Sequence, residues 1–280
     1  MSEFLIIDVS NLAYRAAYAN SRLTTSRGAF SGHVFGSVSS LFALFRNQFK
    51  EDPTVVFCYD GKNSKDYRRT LLLEYKANRT PHDIDPLPGV VEVLSLYPGI
   101  HIKQDDKEGD DAIAYTVVMR RGQPCVVWSG DKDIWALMQH PGCRVLSPNL
   151  GRFVECDDFF KHYHLDGKPG RIPLAKALFG DSSDGIKGVD RLQKKQVAPI
   201  LNGDDIVTPE DFYKGLDPKP SCMTDNTYKK LLDNKDKVFT NYQVVLPQLE
   251  FSKESVTIVG PESMEAFKKK LVEYECFSLI

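Results

Sequence analysis

The sequence lacks the features that mark a secreted, membrane-spanning or disulfide-stabilised protein. Its six cysteines include no CxxC pair, which argues against a zinc ribbon or a disulfide framework. Its apolar runs are only as long as a β-strand, too short to cross a bilayer. The start, Met1-Ser2-Glu3, has no signal-peptide character. We therefore expect a protein of a reducing cytoplasm without a membrane partner.

The sequence also lacks an excess of positive charge, because its formal net charge is only −2. The charges are nevertheless unevenly distributed. Between positions 62 and 79 six basic residues stand against two acidic ones: Lys62, Lys65, Arg68, Arg69, Lys76 and Arg79 against Asp66 and Glu74. A protein that is nearly neutral overall can carry a basic face beside an acidic pocket, and such a face is typical of nucleic-acid binding.

What the sequence does contain is a set of apolar runs that end in aspartate. Three short runs rich in valine and isoleucine lead to Asp8, Asp60 and Asp131, and each is typical of a buried parallel strand. The carboxyl ends of parallel strands share one edge of a sheet, so these side chains are expected to lie close together. Six further acids follow such elements or turns: Glu108, Asp110, Asp111, Asp133, Asp181 and Asp184. Crowded carboxylates repel unless a cation intervenes, and the pattern therefore predicts a divalent-metal site.

Strand and helix patterns alternate up to about Glu155, which predicts an α/β fold with a mostly parallel central sheet flanked by helices. Beyond that point the pattern changes to helices and loops, with helices predicted over residues 172–179, 227–245 and 261–274. We expect two domains, over residues 1–158 and 159–280. The basic stretch at about 62–90 is predicted to form a lid.

Each acid also has a purely structural interpretation that involves no metal. An aspartate after a strand is often a helix cap, as Asp110 and Asp133 would be, and Asp184 is in a position to hold a turn. A haloacid-dehalogenase-type phosphatase also places aspartate after a strand, but its second aspartate would stand where Ser10 is found. The set as a whole favours the metal site.

Five motifs, in this order, resemble the 5′-nuclease family, which includes bacteriophage flap endonucleases and 5′→3′ exonucleases and the 5′-nuclease domain of bacterial DNA polymerase I. They are Asp8 with Asn11 and Tyr14-Arg15, Tyr67-Arg68 with residues 74–79, residues 108–111, residues 129–133 and residues 180–189. The resemblance runs from about residue 4 to 246. It implies a PIN-like nuclease domain with an arch, followed by a helical, helix–turn–helix-type region that binds duplex DNA.

The resemblance also implies residue roles. Two or more Mg²⁺ ions, replaceable by Mn²⁺, would be held by two acid groups: Asp8, Asp60, Glu108, Asp110 and Asp111 for the first, and Asp131, Asp133, Asp181 and Asp184 for the second. Lys76 and Arg79, which share a face if their segment is helical, would act on the scissile phosphate. Arg68 matches a further family arginine and is expected to contact DNA. From their side-chain chemistry, Tyr67 and Tyr75 are expected to stack on unpaired bases. Three lysines are expected to bind phosphates: Lys187, Lys194 and Lys195.

The implied activity is structure-selective hydrolysis of DNA phosphodiesters in replication and repair. The substrate would carry a 5′ single-stranded flap or a 5′ end next to duplex, with an RNA/DNA hybrid as a further candidate. The protein would act as a monomer, in the cytoplasm of a bacterial host if a phage encodes it. The alternatives are a PIN-type ribonuclease and a catalytically inactive DNA-structure-binding protein. Residues 190–195 lack the family's second glycine-rich turn, which puts a monovalent-ion site there in doubt.

Overall fold

A single seven-stranded sheet organises the computed structural model, which describes residues 3–79 and 85–280 apart from one side chain, that of Phe160. Its order is β6-β5-β4-β1-β2-β3-β7. The strands are β1 (Phe4–Asp8), β2 (Thr54–Cys58), β3 (Gly99–Ile102), β4 (Cys125–Trp128), β5 (Cys143–Ser147), β6 (Arg152–Phe153) and β7 (Val256–Val259).

Twelve α-helices surround the sheet in the described ranges. They are α1 (Val9–Ala19), α2 (Gly32–Gln48), α3 (Asp66–Leu71), α4 (Leu87–Leu94), α5 (Gly109–Met119), α6 (Cys156–Tyr163), α7 (Ile172–Phe179), α8 (Lys194–Leu201), α9 (Pro209–Lys214), α10 (Asp225–Asp233), α11 (Lys235–Val245) and α12 (Met264–Glu273). A 3₁₀ helix spans Asp133–Gln139. Within the described part of the chain, no helix is both long and apolar enough to cross a membrane.

The five inner strands are parallel, and β1 lies at their centre between β4 and β2. Its side chains alternate between two cores: Leu5 and Ile7 pack on one face of the sheet and Ile6 on the other. This two-sided burial explains why the run is apolar throughout. The chain builds outward from β1 in both directions, so the carboxyl ends of β1 and β4 border a topological switch point, where α/β proteins bind ligands.

Each of the two edge strands is antiparallel to its neighbour, and β7 was not predicted from the sequence. β6 pairs with β5, and β7 pairs with β3. The mostly parallel α/β sheet predicted from the sequence is therefore confirmed. The part of the chain beyond about Glu155, predicted to contain helices and loops, nevertheless contributes β7 to this sheet.

One further sequence prediction differs from the structure. The predicted single helix over residues 227–245 is two helices, because α10 ends at Asp233 and α11 begins at Lys235, with Asn234 between them outside helical geometry. The predicted domain boundary at residue 158 falls inside α6. The division into two domains itself remains a prediction.

Residues of α11 fix the position of the turn over residues 180–189. Asn241 is buried, and its Nδ2 donates to the carbonyl oxygens of Ala177 and Lys187 at 3.0 Å each. Nζ of Lys237 donates to the carbonyl oxygen of Gly188 at 2.7 Å. The turn that carries Asp181 and Asp184 is thus attached to α7 on one side and α11 on the other.

A buried arginine joins this helical region to the sheet. The guanidinium of Arg68 contacts Asp111 at 2.7 Å and Glu108 at 2.8 Å, and its Nε donates to the carbonyl oxygen of Val244 at 2.9 Å. The side chain is about 5% exposed. A buried charge is tolerated only when it is paired in this way.

Replacing Arg68 by alanine should destabilise the protein strongly, because Asp111 would remain buried without a cation and Glu108 would keep only Lys76. Loss of one partner of a buried ion pair costs about 3–5 kcal/mol. Urea denaturation of Arg68→Ala should show a loss in this range. Arg144→Ala is the control: Arg144 pairs with Glu3 on the surface at 2.5 Å, and such pairs contribute at most about 1 kcal/mol. Equal losses in the two variants would contradict the structural role of Arg68.

Candidate active site

Five acidic side chains from four separate stretches of the chain line one open cleft at the carboxyl edge of the sheet. They are Asp8, Asp60, Glu108, Asp110 and Asp131. Asp8 ends β1, Asp60 lies two residues beyond β2, and Asp131 lies three residues beyond β4. The shared edge of the parallel strands is what brings them together.

Asp8 is fixed at the centre of this cleft. One carboxylate oxygen accepts from the backbone N–H of Asn11 at 2.9 Å, which caps α1, and the other accepts from Oγ of Ser129 at 2.6 Å. Burial raises the pKa of Asp8 to about 7, assisted by the negative charges of Asp131 and Asp60. Without a cation the cleft therefore favours the protonated form of this group.

Asp110 is under the same constraint. Burial raises its pKa well above the usual range, and the neighbouring carboxylates of Asp131 and Asp8 add to the effect. Asp60 is held differently, because its carboxylate accepts from the backbone N–H of Gly109 at 2.7 Å. This hydrogen bond ties the end of β2 to the start of α5, on which Asp110 lies.

Glu108 is saturated by donors. Its Oε1 accepts from Nζ of Lys76 at 2.6 Å, and its Oε2 accepts from Arg68 and from the hydroxyl of Tyr75, each at 2.8 Å. The negative charge of Glu108 is therefore paired with Lys76 and Arg68 within the protein. Burial would lower the pKa of Lys76, but Glu108 and other acids outweigh that effect and raise it. Lys76 consequently carries its positive charge at neutral pH.

Three residues predicted for the site are enclosed in the interior instead. Asp111, expected as a metal ligand, is 0% exposed and accepts from Arg68, from the backbone N–H of Glu108 at 2.9 Å and from that of Gln248 at 2.8 Å. Arg68, expected to contact DNA, donates instead to Glu108, Asp111 and the carbonyl oxygen of Val244. Tyr75, expected to stack on bases, is buried with its hydroxyl on Glu108. All three residues hydrogen-bond with Glu108 and so hold this side of the cleft in place from the protein interior.

A second acid group adjoins the first. Carboxylate oxygens of Asp133, Asp181 and Asp184 all lie within 4.8 Å of one another. Together with Asp131 they line a neighbouring cleft, and Asn11 and Arg79 border both clefts. This spacing and an all-oxygen donor set fit a hard divalent cation such as Mg²⁺ or Mn²⁺.

A cation that was not predicted from the sequence, Lys176, contacts this second group. Nζ of Lys176, on α7, pairs with Asp133, with Asp181 at 2.6 Å and with Asp184 at 3.6 Å. A signal was available, because Lys176 interrupts an otherwise apolar helix, Ile172–Phe179, five residues before Asp181. A lysine on a buried helix needs an acidic partner.

The charge of Lys176 changes the protonation of its partners. Burial works to raise the pKa of Asp181, but Lys176 and the donors of Ser183 outweigh it and lower the pKa to about 2. Burial dominates at Asp133, whose pKa is raised to about 6 in spite of Lys176.

The basic segment before residue 80 rests on the turn that carries Asp184. The backbone N–H of Lys76 donates to the carbonyl oxygen of Asp184 at 2.8 Å, and Arg79 contacts the carboxylate of Asp184 at 3.0 Å. Lys76 adopts a left-handed φ of 52°, and the segment forms turns. The condition under which Lys76 and Arg79 would share a helical face is therefore not met. Both side chains nevertheless line the first cleft.

Gly185 permits this contact. Its φ is +72°, and a Cβ atom there would lie 2.5 Å from the carbonyl oxygen of Glu74. Any other residue would both strain the turn and push the basic segment away. Residues 80–84 of the predicted lid lie outside the described residues.

The other predicted DNA contacts lie on the surface. Tyr67 is 45% exposed, and Lys187 is exposed near Glu74, with 4.0 Å between the charged atoms. Lys194, at the start of α8, borders the second cleft, and Lys195 next to it is exposed. Their predicted roles remain predictions.

Comparison with known proteins agrees with this geometry. A family model described as the 5′-3′ exonuclease N-terminal resolvase-like domain matches residues 3–164. The chain belongs to the 5′-3′ exonuclease family. A 5′-3′ exonuclease of Aquifex aeolicus is 26% identical over 290 aligned positions, which cover 100% of this chain and 94% of that protein.

Two other relatives extend the comparison. DNA polymerase I of Caldicellulosiruptor bescii is 28% identical over 247 residues, covering 85% of this chain but only 28% of the polymerase, so the chain spans little more than a quarter of that relative. A complex of the bacteriophage T5 D15 flap endonuclease with DNA and metal ions has a TM-score of 0.65 at 21% identity, covering 97% of this chain and 98% of that one. The last match shows that the 5′-nuclease fold is shared.

The raised pKa values of the acid clusters predict an unusual pH dependence. Between about pH 4, the ordinary value for aspartate, and pH 7, Asp8 and Asp133 bind protons in the folded state that they have lost in the unfolded state. Their contribution to the free energy of unfolding therefore falls as pH rises through this window. Asp181 has the opposite sign, but its contribution is lost only between about pH 4 and 2.

This dependence is measured by urea denaturation of metal-free protein at pH 5, 6, 7 and 8. Asp8→Asn should be destabilised less than the wild type as pH rises, since it has no carboxylate to ionise at that position. Added Mg²⁺ should stabilise the wild type more at pH 8 than at pH 5. Identical pH profiles for wild type and Asp8→Asn would contradict the assignment.

Proposed function

We propose that this chain is a divalent-metal-dependent, structure-selective 5′-nuclease that hydrolyses DNA phosphodiesters as a flap endonuclease and 5′→3′ exonuclease. The observation that carries the proposal is the convergence of acids from separate stretches of chain on two adjoining clefts, beside a basic segment that lines one of them. Family membership and the fold shared with the phage T5 flap endonuclease support it.

The metal ligands proposed here differ from the sequence-based set in two ways: Asp111 is left out, and Asp131, which lines both clefts, is assigned to the first ion instead of the second. A first Mg²⁺ or Mn²⁺ would be held by Asp8, Asp60, Asp110 and Asp131, with Glu108 behind them, and a second by Asp133, Asp181 and Asp184. Two such ions supply a nucleophile from water at neutral pH and offset charge on the leaving oxygen. Mg²⁺ retains several waters, so some of these acids would act through water.

Lys76 and Arg79 would bind and orient the phosphodiester. Both line the cleft that holds the first acid group, and the charge of Lys76 is maintained by Glu108. A fixed ammonium placed where negative charge develops on phosphate oxygens stabilises the transition state without reorganisation. Glu108 is therefore proposed to position Lys76 as well as to contribute charge to the metal site.

The remaining predicted contacts suit sequence-independent binding of duplex DNA. Lys187, Lys194 and Lys195 lie on or beside the segment between α7 and α8, and such lysines neutralise phosphates without reading bases. Tyr67 is exposed on α3 and is proposed to stack on an unpaired base of the 5′ strand. We propose that this helix–turn–helix-type region grips duplex while the segment over residues 62–90 engages the 5′ flap or end, and that an RNA/DNA hybrid is also accepted.

Asp131→Asn should abolish metal-dependent cutting without abolishing DNA binding. The substitution keeps the shape of the side chain and removes the charge that both clefts share. A labelled 5′-flap duplex with and without Mg²⁺ measures cleavage, and fluorescence anisotropy in Ca²⁺ measures affinity. We expect cleavage to fall by more than about a hundredfold, with affinity within a few fold of wild type.

The control for this experiment is Asp205→Asn, an exposed acid remote from both clefts. It should cut at the wild-type rate. Wild-type protein that binds the flap duplex but never cuts it in Mg²⁺ or Mn²⁺ would refute the nuclease and favour the inactive DNA-binding alternative. Cleavage of single-stranded RNA alone would favour the PIN-type ribonuclease.

Lys76→Met should lower the rate of the chemical step more than it weakens binding. Single-turnover cleavage at saturating DNA is expected to slow by about 10²–10³-fold, the usual cost of losing one preorganised donor. Lys187→Met is the matched comparison, because its exposed ammonium is proposed to contact only duplex phosphate. It should weaken affinity and reduce the salt dependence by about one counterion without slowing single turnover. A purely affinity-based effect of Lys76→Met would make Lys76 a docking residue.

A further inference from the structure

Lys176 carries a positive charge into the interior of the protein at the second acid group. Its side chain is 3% exposed, and the residues around it on α7, among them Leu174, Ala175, Ala177 and Leu178, are buried apolar side chains. Nothing in this helix would balance the charge. The balance comes from outside the helix, from Asp133 on the 3₁₀ helix and from Asp181 and Asp184 on the following turn.

The ammonium lies among the oxygens that would share a metal ion. The three carboxylates have ligand atoms within 4.8 Å of one another, and Nζ of Lys176 reaches an Oδ2 atom of each of them. A divalent cation bound by the same oxygens would lie within a few ångströms of Nζ. At such distances two like charges repel strongly in a partly buried site, so the ammonium and the ion compete for one position.

The competition has a structural reason. Three carboxylates this close together repel one another, and a cation is needed to keep them in place. Nζ of Lys176 contacts all three carboxylates and supplies that cation. The protein therefore contains its own substitute for a metal ion at this cluster.

We propose that Lys176 is an internal counter-ion that holds the cluster of Asp133, Asp181 and Asp184 together in the metal-free protein and must be displaced before a divalent ion binds there. This inference rests on the proposed metal dependence. Its consequence is that the second cluster binds metal more weakly than its three carboxylates would allow. Lys176 also borders the second cleft, so the displaced ammonium has an open space beside it in which a DNA phosphate would be its partner.

The test is metal binding by the full chain without DNA. Isothermal titration with Mn²⁺ should show a tight and a weak class of sites in the wild type, and the weak class is assigned by its loss in Asp181→Asn. Lys176→Met keeps the length of the side chain and removes the charge. We expect the weak class to tighten by about tenfold or more in this variant, since a charge a few ångströms from the ion is removed.

Thermal unfolding gives a second readout. In EDTA, Lys176→Met should melt at a lower temperature than the wild type, and Mn²⁺ should raise its melting temperature by more than it raises that of the wild type. Lys168→Met is the matched control, because Lys168 pairs with Asp204 at 2.7 Å away from both clefts. It should leave both metal affinities unchanged.

The outcomes separate this inference from the proposed function. A wild type that binds no Mn²⁺ refutes both. A wild type with two classes of sites, together with a Lys176→Met variant whose weak class is unchanged or weaker, overturns the role of Lys176 alone. Should Lys176→Met fail to fold without metal, Lys176→Arg replaces it: this variant retains the competing charge, and its weak class should stay as weak as in the wild type. A tenfold tightening in Lys176→Arg would also overturn the inference.

Discussion

Mutual repulsion among carboxylates is the constraint on which the rest of this structure depends. The parallel sheet brings acids to one edge, and in the absence of metal their charges are offset from within the protein. In the first cluster, burial and neighbouring charges raise the pKa values of Asp8 and Asp110, while Glu108 pairs with Lys76 and Arg68. In the second, the ammonium of Lys176 pairs with all three acids, and burial still raises the pKa of Asp133 to about 6.

The buried cations also connect parts of the molecule that are distant in sequence. Arg68 joins α3 to the start of α5 and to the end of α11. Lys76 joins the basic segment to Glu108 through its side chain and to Asp184 through its backbone. These cations contact acids of the proposed metal sites. A change in charge at either cluster would therefore alter the position of the basic segment before residue 80, which is proposed to contact the phosphate.

The sequence predicts the acid edge well, because strand-end geometry depends only on local patterns. Asp8, Asp60 and Asp131 follow apolar runs that read clearly as parallel strands, and their convergence needs no further information. Asp111 could not be separated from Asp110 in the same way. The two are adjacent, and only a partner 43 residues away, Arg68, decides that one of them faces the interior.

Other differences have the same origin in long-range contacts. β7 does carry a local strand signal, four successive β-branched residues, but only its pairing with β3 makes it part of this sheet. A shared face for Lys76 and Arg79 depended on a helix, but the segment forms turns where Gly185 lies against Glu74.

The two ways of neutralising the clusters lead to different behaviour on metal binding. On the proposed function, metal would replace protons at the first cluster, so its affinity would rise with pH through the window in which Asp8 ionises. On the role inferred for Lys176, metal at the second cluster would replace an ammonium that stays attached to the chain. Such a tethered competitor would be present at a constant effective concentration, which the metal must overcome. The fold would then persist without metal, unlike a zinc finger, and the second site would be the weaker one. Its occupancy would depend on any group that binds Lys176 in its displaced position, and a DNA phosphate in the adjoining cleft is the group best placed to do so.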